Sequence, residues 1–425
     1  MSTAGHPRRR TGTVVIGGGQ AGLAMSRCLT DQGRDHLVLE RGRIGERWRS
    51  ERWDSLRLLT PNWQTRLPGW SYRGPDPDGF MTMPELVSYF EGYASSFDAP
   101  VHDGTTVTSV RRSEGSYLVD TDQGSWLADE VVIATGHCDR PLVPALAAGL
   151  DSDIDQLVPS AYRNPDQLAP GGVLVVGASA SGAQIADELA SAGRDVVLSI
   201  GRHTRLPRRY RGLDIMWWLD QMGVFGHTVD DVSDIVAARN EPSLQLVGRP
   251  DHRDLDLFTL QAKGVRLAGR LQGVAGRRVS FADDLLANAA RADGRLRRVL
   301  GRIDRYIERH GLSSEVDDPE PVGAVHPAVM GDSADLGDTG ISTVIWATGY
   351  RREYPWLAVP VLDERGEIRH QRGVCPIPGL YVMGLRFQIR RSSSFIDGVG
   401  ADAAELAEHI RARHRRRSTV AAART

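Results

Sequence analysis

The chain has 425 residues, 41% of them apolar and 25% charged, which is the composition of a globular protein with sizeable cores and excludes a disordered or fibrous one. Its 52 basic and 54 acidic residues leave a net charge of −2, so no global field draws it to nucleic acid or to an anionic membrane. Cys28, Cys138 and Cys375 lie far apart and form no C-x-x-C pair, and no apolar run approaches the ~18 residues of a membrane span. Reduced thiols in a cytoplasm are the expectation. No metal-ligand spacing stands out, and Lys263 is the only lysine among many arginines.

The start carries Arg8-Arg9-Arg10 without an apolar stretch and does not read as a secretory signal. The first element is a short apolar strand, Thr13-Val14-Val15-Ile16. Gly17-x-Gly19-x-x-Gly22 follows, with Gln20 and Ala21 inside it, and then a helix-like run from Leu23 to Gly33. A lone glycine pattern is weak, but strand before and helix after supply its required context. The first glycine permits a tight turn, the second admits a pyrophosphate, and the third lets helix approach strand. The pyrophosphate then meets free amides at the helix start. A second strand, Leu37-Val38-Leu39, ends at Glu40-Arg41, 18 residues after Gly22. A carboxylate there accepts from both hydroxyls of an adenosine ribose and repels a 2′-phosphate, so this loop suits FAD or NAD.

Trp48, Trp53, Trp63 and Trp70 crowd the next segment. They are either core packing or an aromatic wall over a flat ligand, with Trp48 the candidate cofactor contact. Further on, Val131-Val132-Ile133 ends in Ala134-Thr135-Gly136-His137, where glycine lets backbone approach a cofactor. His137 is open to a structural role or a cofactor contact.

The same form then returns. Val173-Leu174-Val175-Val176 leads into Gly177-x-Ser179-x-x-Gly182, with Ala180 and Ser181 inside it, and a helix-like run follows from Ala183 to Gly193. The two first glycines are 160 residues apart. The following strand ends without a carboxylate, at Leu198-Ser199-Ile200-Gly201-Arg202-His203-Thr204-Arg205. A hydroxyl and arginines stand where a 2′-phosphate would sit, which favours NADPH. Arg202 is the first choice of phosphate ligand and Arg205 the second; a solvated surface arginine is the alternative for each. Trp217-Trp218 is open to the same two readings as the earlier tryptophans. Residues 283–311 read as extra helix, with Leu296, Val299, Leu300, Ile303, Ile307 and His310 on one stripe, either a core-facing helix or a lid. A second short strand ends in Ala347-Thr348-Gly349. Gly398-Val399-Gly400 then enters a final helix over about 401–411, before a basic, solvated tail. That helix start can aim its positive end at a flavin ring.

The expected fold is α/β, with two Rossmann-like dinucleotide-binding domains, the NADPH domain inserted in the FAD domain. The FAD domain is expected over 1–156 and 341–425, and the NADPH domain over 157–340. Nicotinamide supplies a hydride and flavin accepts it.

The order of the two loops, the paired Ala-Thr-Gly strands, and Ala347-Thr348-Gly349-Tyr350 followed by Pro355 resemble the class B flavoprotein monooxygenases. That group includes N- and S-oxygenating enzymes and the plant auxin-forming ones. The stretch from Gly45-Glu46-Arg47-Trp48 through Trp53-Asp54-Ser55-Leu56-Arg57-Leu58 to Thr60-Pro61-Asn62 is similar to the segment the family places beside the flavin. The resemblance implies an NADPH-dependent FAD monooxygenase that uses O₂ and oxygenates a small organic molecule at N, S or a carbonyl carbon through a flavin C4a-hydroperoxide. It also implies that Asn62 contacts the flavin–nicotinamide region. Arg57 is the candidate for stabilising peroxide charge. The family fingerprint before the second loop survives only at Tyr162-Arg163; Ser152, Ile154 and Val158 replace its Phe, Gly and His. A reductase or oxidase without productive oxygenation is the rival enzyme, and a redox-sensing flavoprotein the rival of another class.

Overall fold

The computed structural model describes residues 9–323 and 331–422; Arg8 and residues 423–425 lie outside them. The chain opens on β1 (Arg9–Ile16), α1 (Gln20–Asp31) and β2 (His36–Leu39). Val14, Val15 and Val38 are fully buried, and all four residues of β2 are enclosed, as a strand covered on both faces requires. Helix α2 (Met83–Ser95) begins at a Thr82–Glu85 capping box with proline in its first turn. Next come β3 (Val101–His102) and an antiparallel meander of β4 (Val107–Ser113), β5 (Ser116–Thr121) and β6 (Gly124–Ile133).

The second layered unit starts at β7 (Asp155–Leu157). It continues through β8 (Gly172–Val176), α3 (Ala180–Ser191), β9 (Val196–Ser199), α4 (Ile215–Gln221), β10 (Arg266–Ala268), α5 (Leu285–His310) and β11 (Ile341–Trp346). The chain ends with β12 (Leu380–Val382) and α6 (Val399–Ala422).

Two sheets result. The first has the order β3-β2-β1-β6-β5-β4, with β12 also paired to β6. The second has the order β7-β11-β8-β9-β10, and every pairing in it is parallel. The chain leaves the first sheet after Ile133 and returns to it at Leu380. Each glycine-loop strand pairs with its own Ala-Thr-Gly strand: Val15 stands opposite Val132, and Val175 opposite Ile345.

That pairing corrects the boundaries expected from sequence. Ile341–Trp346 belongs to the second sheet, where it lies between β7 and β8, and Asp155–Leu157 joins the same sheet. The crossing back therefore follows Trp346, because a buried parallel strand must sit beside the strand whose amides it satisfies. The final helix is also longer than expected and runs to Ala422, through the start of the basic tail.

Helix α5 buries Leu296, Leu300, Ile303 and Ile307 and ends at Gly311, whose φ of 69° provides a left-handed cap. Val299 is half-buried on that stripe and His310 is exposed. The stripe packs on α4, around a fully buried Trp218, in a core that Leu59, Trp63 and Phe395 also touch. The helix thus faces a core. No helix among the described residues is long and apolar enough to cross a membrane.

Candidate dinucleotide-binding site

The two glycine loops have one geometry. Gly17 adopts φ 114° and Gly177 φ 105°, a region open to glycine. A Cβ on Gly17 would stand 2.5 Å from Ala134 O, and one on Gly177 2.4 Å from Ala347 O. A Cβ on Gly22 would come within 1.8 Å of Gly17 O, and one on Gly182 within 1.8 Å of Gly177 O. These glycines let loop, helix and Ala-Thr-Gly strand close on one another. Gly19 differs, because a Cβ there meets nothing within 4 Å. It fronts open space at the start of α1. Neither Gly19 nor Ser179 caps its helix with a side chain, so the first amides of α1 and α3 stay free for an anion.

A cavity of about 1220 Å³ opens there. Gly17, Gly19, Gln20, Ala21, Glu40, Arg41, Trp48, Ala134, Thr135, Gly136 and His137 line it from the first unit, and Ala180 and Ser181 from the second. The cavity is thus walled by both loops at once. Glu40 is held ready: its Oε2 accepts the Gly18 amide at 2.7 Å and its Oε1 the Gly42 amide at 2.9 Å. Trp48 donates from Nε1 to Gln20 Oε1 at 3.2 Å, and the Arg52 guanidinium lies 5.1 Å over its ring. Trp53 also lines the cavity, whereas Trp63 and Trp70 pack in cores. Arg47 clamps the loop after β6 by donating to Cys138 O and Asp139 Oδ1.

Burial pushes His137 down to about 4, and the charges of Arg386 and Arg352 add to this. The ring is therefore neutral near pH 7. Burial raises the Cys138 thiol, so it is not an activated thiolate.

Several expected residues stand elsewhere. Ser199 is 2% exposed, and its hydroxyl donates to Gly269 O at 3.0 Å and accepts from Leu271 N at 2.9 Å. Arg205 is 3% exposed and held between Asp256, at 2.8 Å, and Asp293, at 3.0 Å. A side chain enclosed by two carboxylates is not available to a phosphate. Arg202 is exposed and makes no ion pair among the described residues. Asn62 does not line the cavity; its Nδ2 donates to Asp76 O at 2.9 Å. Arg57 does line it and donates to Phe80 O at 2.9 Å. Gly22, Gly177, Ser179, Gly182, Ala347, Thr348 and Gly349 do not line the cavity, and Gly349 is exposed. Gly398 supports the entry to α6, since a Cβ there would meet Ser392 O at 1.9 Å.

Sequence reasoning missed Arg52, Gln184, Tyr350, Gly384 and Ser394, all on the cavity wall. Gly384 alone carried a sign, a glycine just past an apolar strand; its φ is 78° and a Cβ would stand 2.8 Å from the Ala21 side chain.

The arrangement matches known proteins. Residues 14–213 match the pyridine nucleotide-disulphide oxidoreductase family model. An uncharacterized CzcO-like oxidoreductase of Geobacillus kaustophilus is 34% identical over 401 residues, covering 93% of this chain and 97% of its own. The probable indole-3-pyruvate monooxygenase YUCCA9 of Arabidopsis thaliana is 32% identical over 215 residues, 47% of this chain and 50% of that one. A flavin-containing monooxygenase from Stenotrophomonas maltophilia has the same fold, with a TM-score of 0.65 at 18% identity over 95% of this chain and 99% of that chain. The chain belongs to the family of the CzcO-like oxidoreductases.

Proposed function

We propose that the protein is an NADPH-dependent FAD monooxygenase that oxygenates a small organic substrate at N, S or a carbonyl carbon with O₂. The observation that carries this reading is the single cavity walled by two glycine loops of the same build, one followed by a carboxylate and the other not. FAD belongs to the first loop. Gly19 leaves room for its pyrophosphate at the start of α1, and Glu40 is oriented by two amides to accept ribose hydroxyls. NADPH belongs to the second loop, where β9 ends without a carboxylate and Arg202 is exposed and free of ion pairs among the described residues. The domain assignment follows, with FAD on the first sheet and NADPH on the second.

The bound flavin supplies the redox chemistry. The chain's own groups bind, orient and enclose. Trp48 and Trp53 line the cavity. His137, kept neutral, serves as a hydrogen-bond partner without adding charge. Arg57, held at Phe80 O, places a cation where negative charge on oxygen would gather.

The fingerprint positions Ile154 and Val158 give the second reading its basis. Both are apolar and join the packing under the second sheet, so no histidine stands between the units there. Purified protein given NADPH, O₂ and a panel of amines, sulfides and ketones tests both. Oxygenated product in step with NADPH consumption is expected; peroxide alone, one per NADPH with every substrate, would leave the reductase or oxidase reading.

A further inference from the structure

The first half of helix α5 lies against the loop that follows β9, where a dinucleotide-binding sheet meets the adenosine end of its ligand. Asn288 is 3% exposed and donates from Nδ2 to Ile200 O at 3.3 Å. Arg295 donates from NH1 to the Thr204 hydroxyl at 3.4 Å. Between them Arg291 is steadied by its own helix, its NH2 donating to Asn288 Oδ1 at 2.5 Å. Asn288, Arg291 and Arg295 follow one another at i, i+3 and i+7, so one ridge of the helix runs along the loop from Ile200 to Thr204.

The same helix decides which arginines stay usable at that loop. Asp293 lies 3.0 Å from Arg205 Nε and, with Asp256, encloses that side chain. Arg202, Arg291 and Arg295 form no ion pair among the described residues. Arg202 and Arg291 are exposed and Arg295 is half-buried, so none of the three is sealed from solvent. Like charges gathered at one loop repel, and an anion among them relieves the repulsion. The Ser199 hydroxyl is already taken by Gly269 O and Leu271 N, which leaves the arginines as the donors for such an anion.

We propose that Arg291 and Arg295, together with Arg202, hold the 2′-phosphate of NADPH and so set the preference for NADPH over NADH. This rests on NADPH occupying the second loop. A phosphate monoester carries close to two negative charges and three acceptor oxygens, which several guanidinium forks satisfy better than one. Arg202 approaches from the loop and the other two from the helix, so the phosphate is gripped between them. The extra helix thereby withdraws Arg205 from the site and supplies two arginines in its place.

The test is calorimetric binding of two nucleotide fragments to the full-length protein. One is 2′,5′-ADP, which carries the 2′-phosphate, and the other is 5′-AMP, which lacks it. The parent should prefer 2′,5′-ADP about a hundred-fold. Arg291→Gln and Arg295→Gln should each cut that ratio about ten-fold, and the double variant more than either, while 5′-AMP binds as before. Glutamine matches arginine in helix propensity, so the fold should hold. Arg305→Gln, exposed and about 15 Å further along α5, removes the same charge away from the loop and should keep the parent's ratio. The parent's ratio in the double variant, or an equal loss in Arg305→Gln, would overturn the proposal. A parent that binds the two fragments alike would overturn the NADPH reading beneath it, a result distinct from the first.

Discussion

The Cα of Gly17 lies against the carbonyl of Ala134, so that a Cβ would stand 2.5 Å from that oxygen, and Gly177 stands to Ala347 in the same way. The third glycines are tighter still, 1.8 Å from Gly17 O and Gly177 O by the same measure. Of the glycines in the two loops, Gly19 points its missing side chain into open cavity. The two kinds of glycine therefore fail differently. Gly22→Ala should destabilise the fold by about 3 kcal/mol or more, because backbone must move. Gly19→Val, at an ordinary φ of −87°, should leave the unfolding midpoint of the flavin-free protein nearly unchanged and abolish FAD binding. Denaturant unfolding and flavin content of the purified variants check this; a yellow Gly19→Val protein at full stoichiometry would displace FAD from the first loop.

The two arginines after β9 separate in the same manner. Arg202 is exposed and unpaired among the described residues, whereas Arg205 is enclosed by Asp256 and Asp293. Losing a charge-assisted contact costs about 1.5–3 kcal/mol, so Arg202→Ala should reduce the kcat/KM preference for NADPH over NADH roughly 10- to 150-fold without loss of stability. Arg205→Ala should strand two carboxylates and cost about 3–5 kcal/mol of folding stability. Steady-state kinetics with both nucleotides, alongside unfolding curves, distinguish the effects. Unchanged nucleotide preference in Arg202→Ala would reassign the phosphate site.

These arginines also show where reading the sequence stops. The glycine loops were legible because their geometry is local: a positive φ, a close helix and a following carboxylate all fall within one βαβ unit. Arg205 was not, because its partners come from 51 and 88 positions away, and nothing near it in sequence announces a buried ion pair. Ser199 was misread for the same reason, its hydroxyl being taken by Gly269 and Leu271. The place of Ile341–Trp346 was legible in principle. The repeat of glycine strand with Ala-Thr-Gly strand already implies that each pair shares a sheet.

Acid stability follows from a buried histidine away from the cavity wall. His370 accepts the Gly373 amide at 3.2 Å, and burial, with the charges of Arg239 and Arg352, pushes it from 6.5 down to about 4. The unfolded chain therefore takes up the proton first as pH falls. Stability is unaffected above about pH 7.5, declines as pH drops through 6.5, and stops declining below about 4, for a total of about 2–3 kcal/mol from this group after allowance for its partial exposure. His370→Gln should flatten that slope. Urea unfolding of the flavin-free protein at pH 7.5, 6 and 4.5 measures it. An equal slope in parent and variant would mean that His370 protonates normally in the folded state.

The last expectation concerns oxygen. Asn62 stands behind the cavity wall, and its Nδ2 ties the 62–64 turn to Asp76 O, while its backbone amide bonds Gly79 O. Leu58 and Leu59, on the wall, lead directly into this turn, and Thr65, just after it, accepts from Tyr72 N and Tyr89 OH through its carbonyl. Asn62→Ala removes only the side-chain tie. The backbone bonds that shape the turn remain, so FAD content should stay near one per chain. In the proposed monooxygenase the wall formed by Leu58 and Leu59 should nonetheless loosen, and water should enter where the reaction requires its exclusion. Oxygen consumed by the reduced enzyme would then leave as hydrogen peroxide more often than as oxygenated product. Peroxide released per NADPH should rise several-fold over the parent, while the rate of flavin reduction by NADPH changes little. Parallel measurement of NADPH loss, peroxide and product decides this. If peroxide yield is unchanged while flavin reduction slows, Asn62 serves the approach of the nicotinamide and not the exclusion of water.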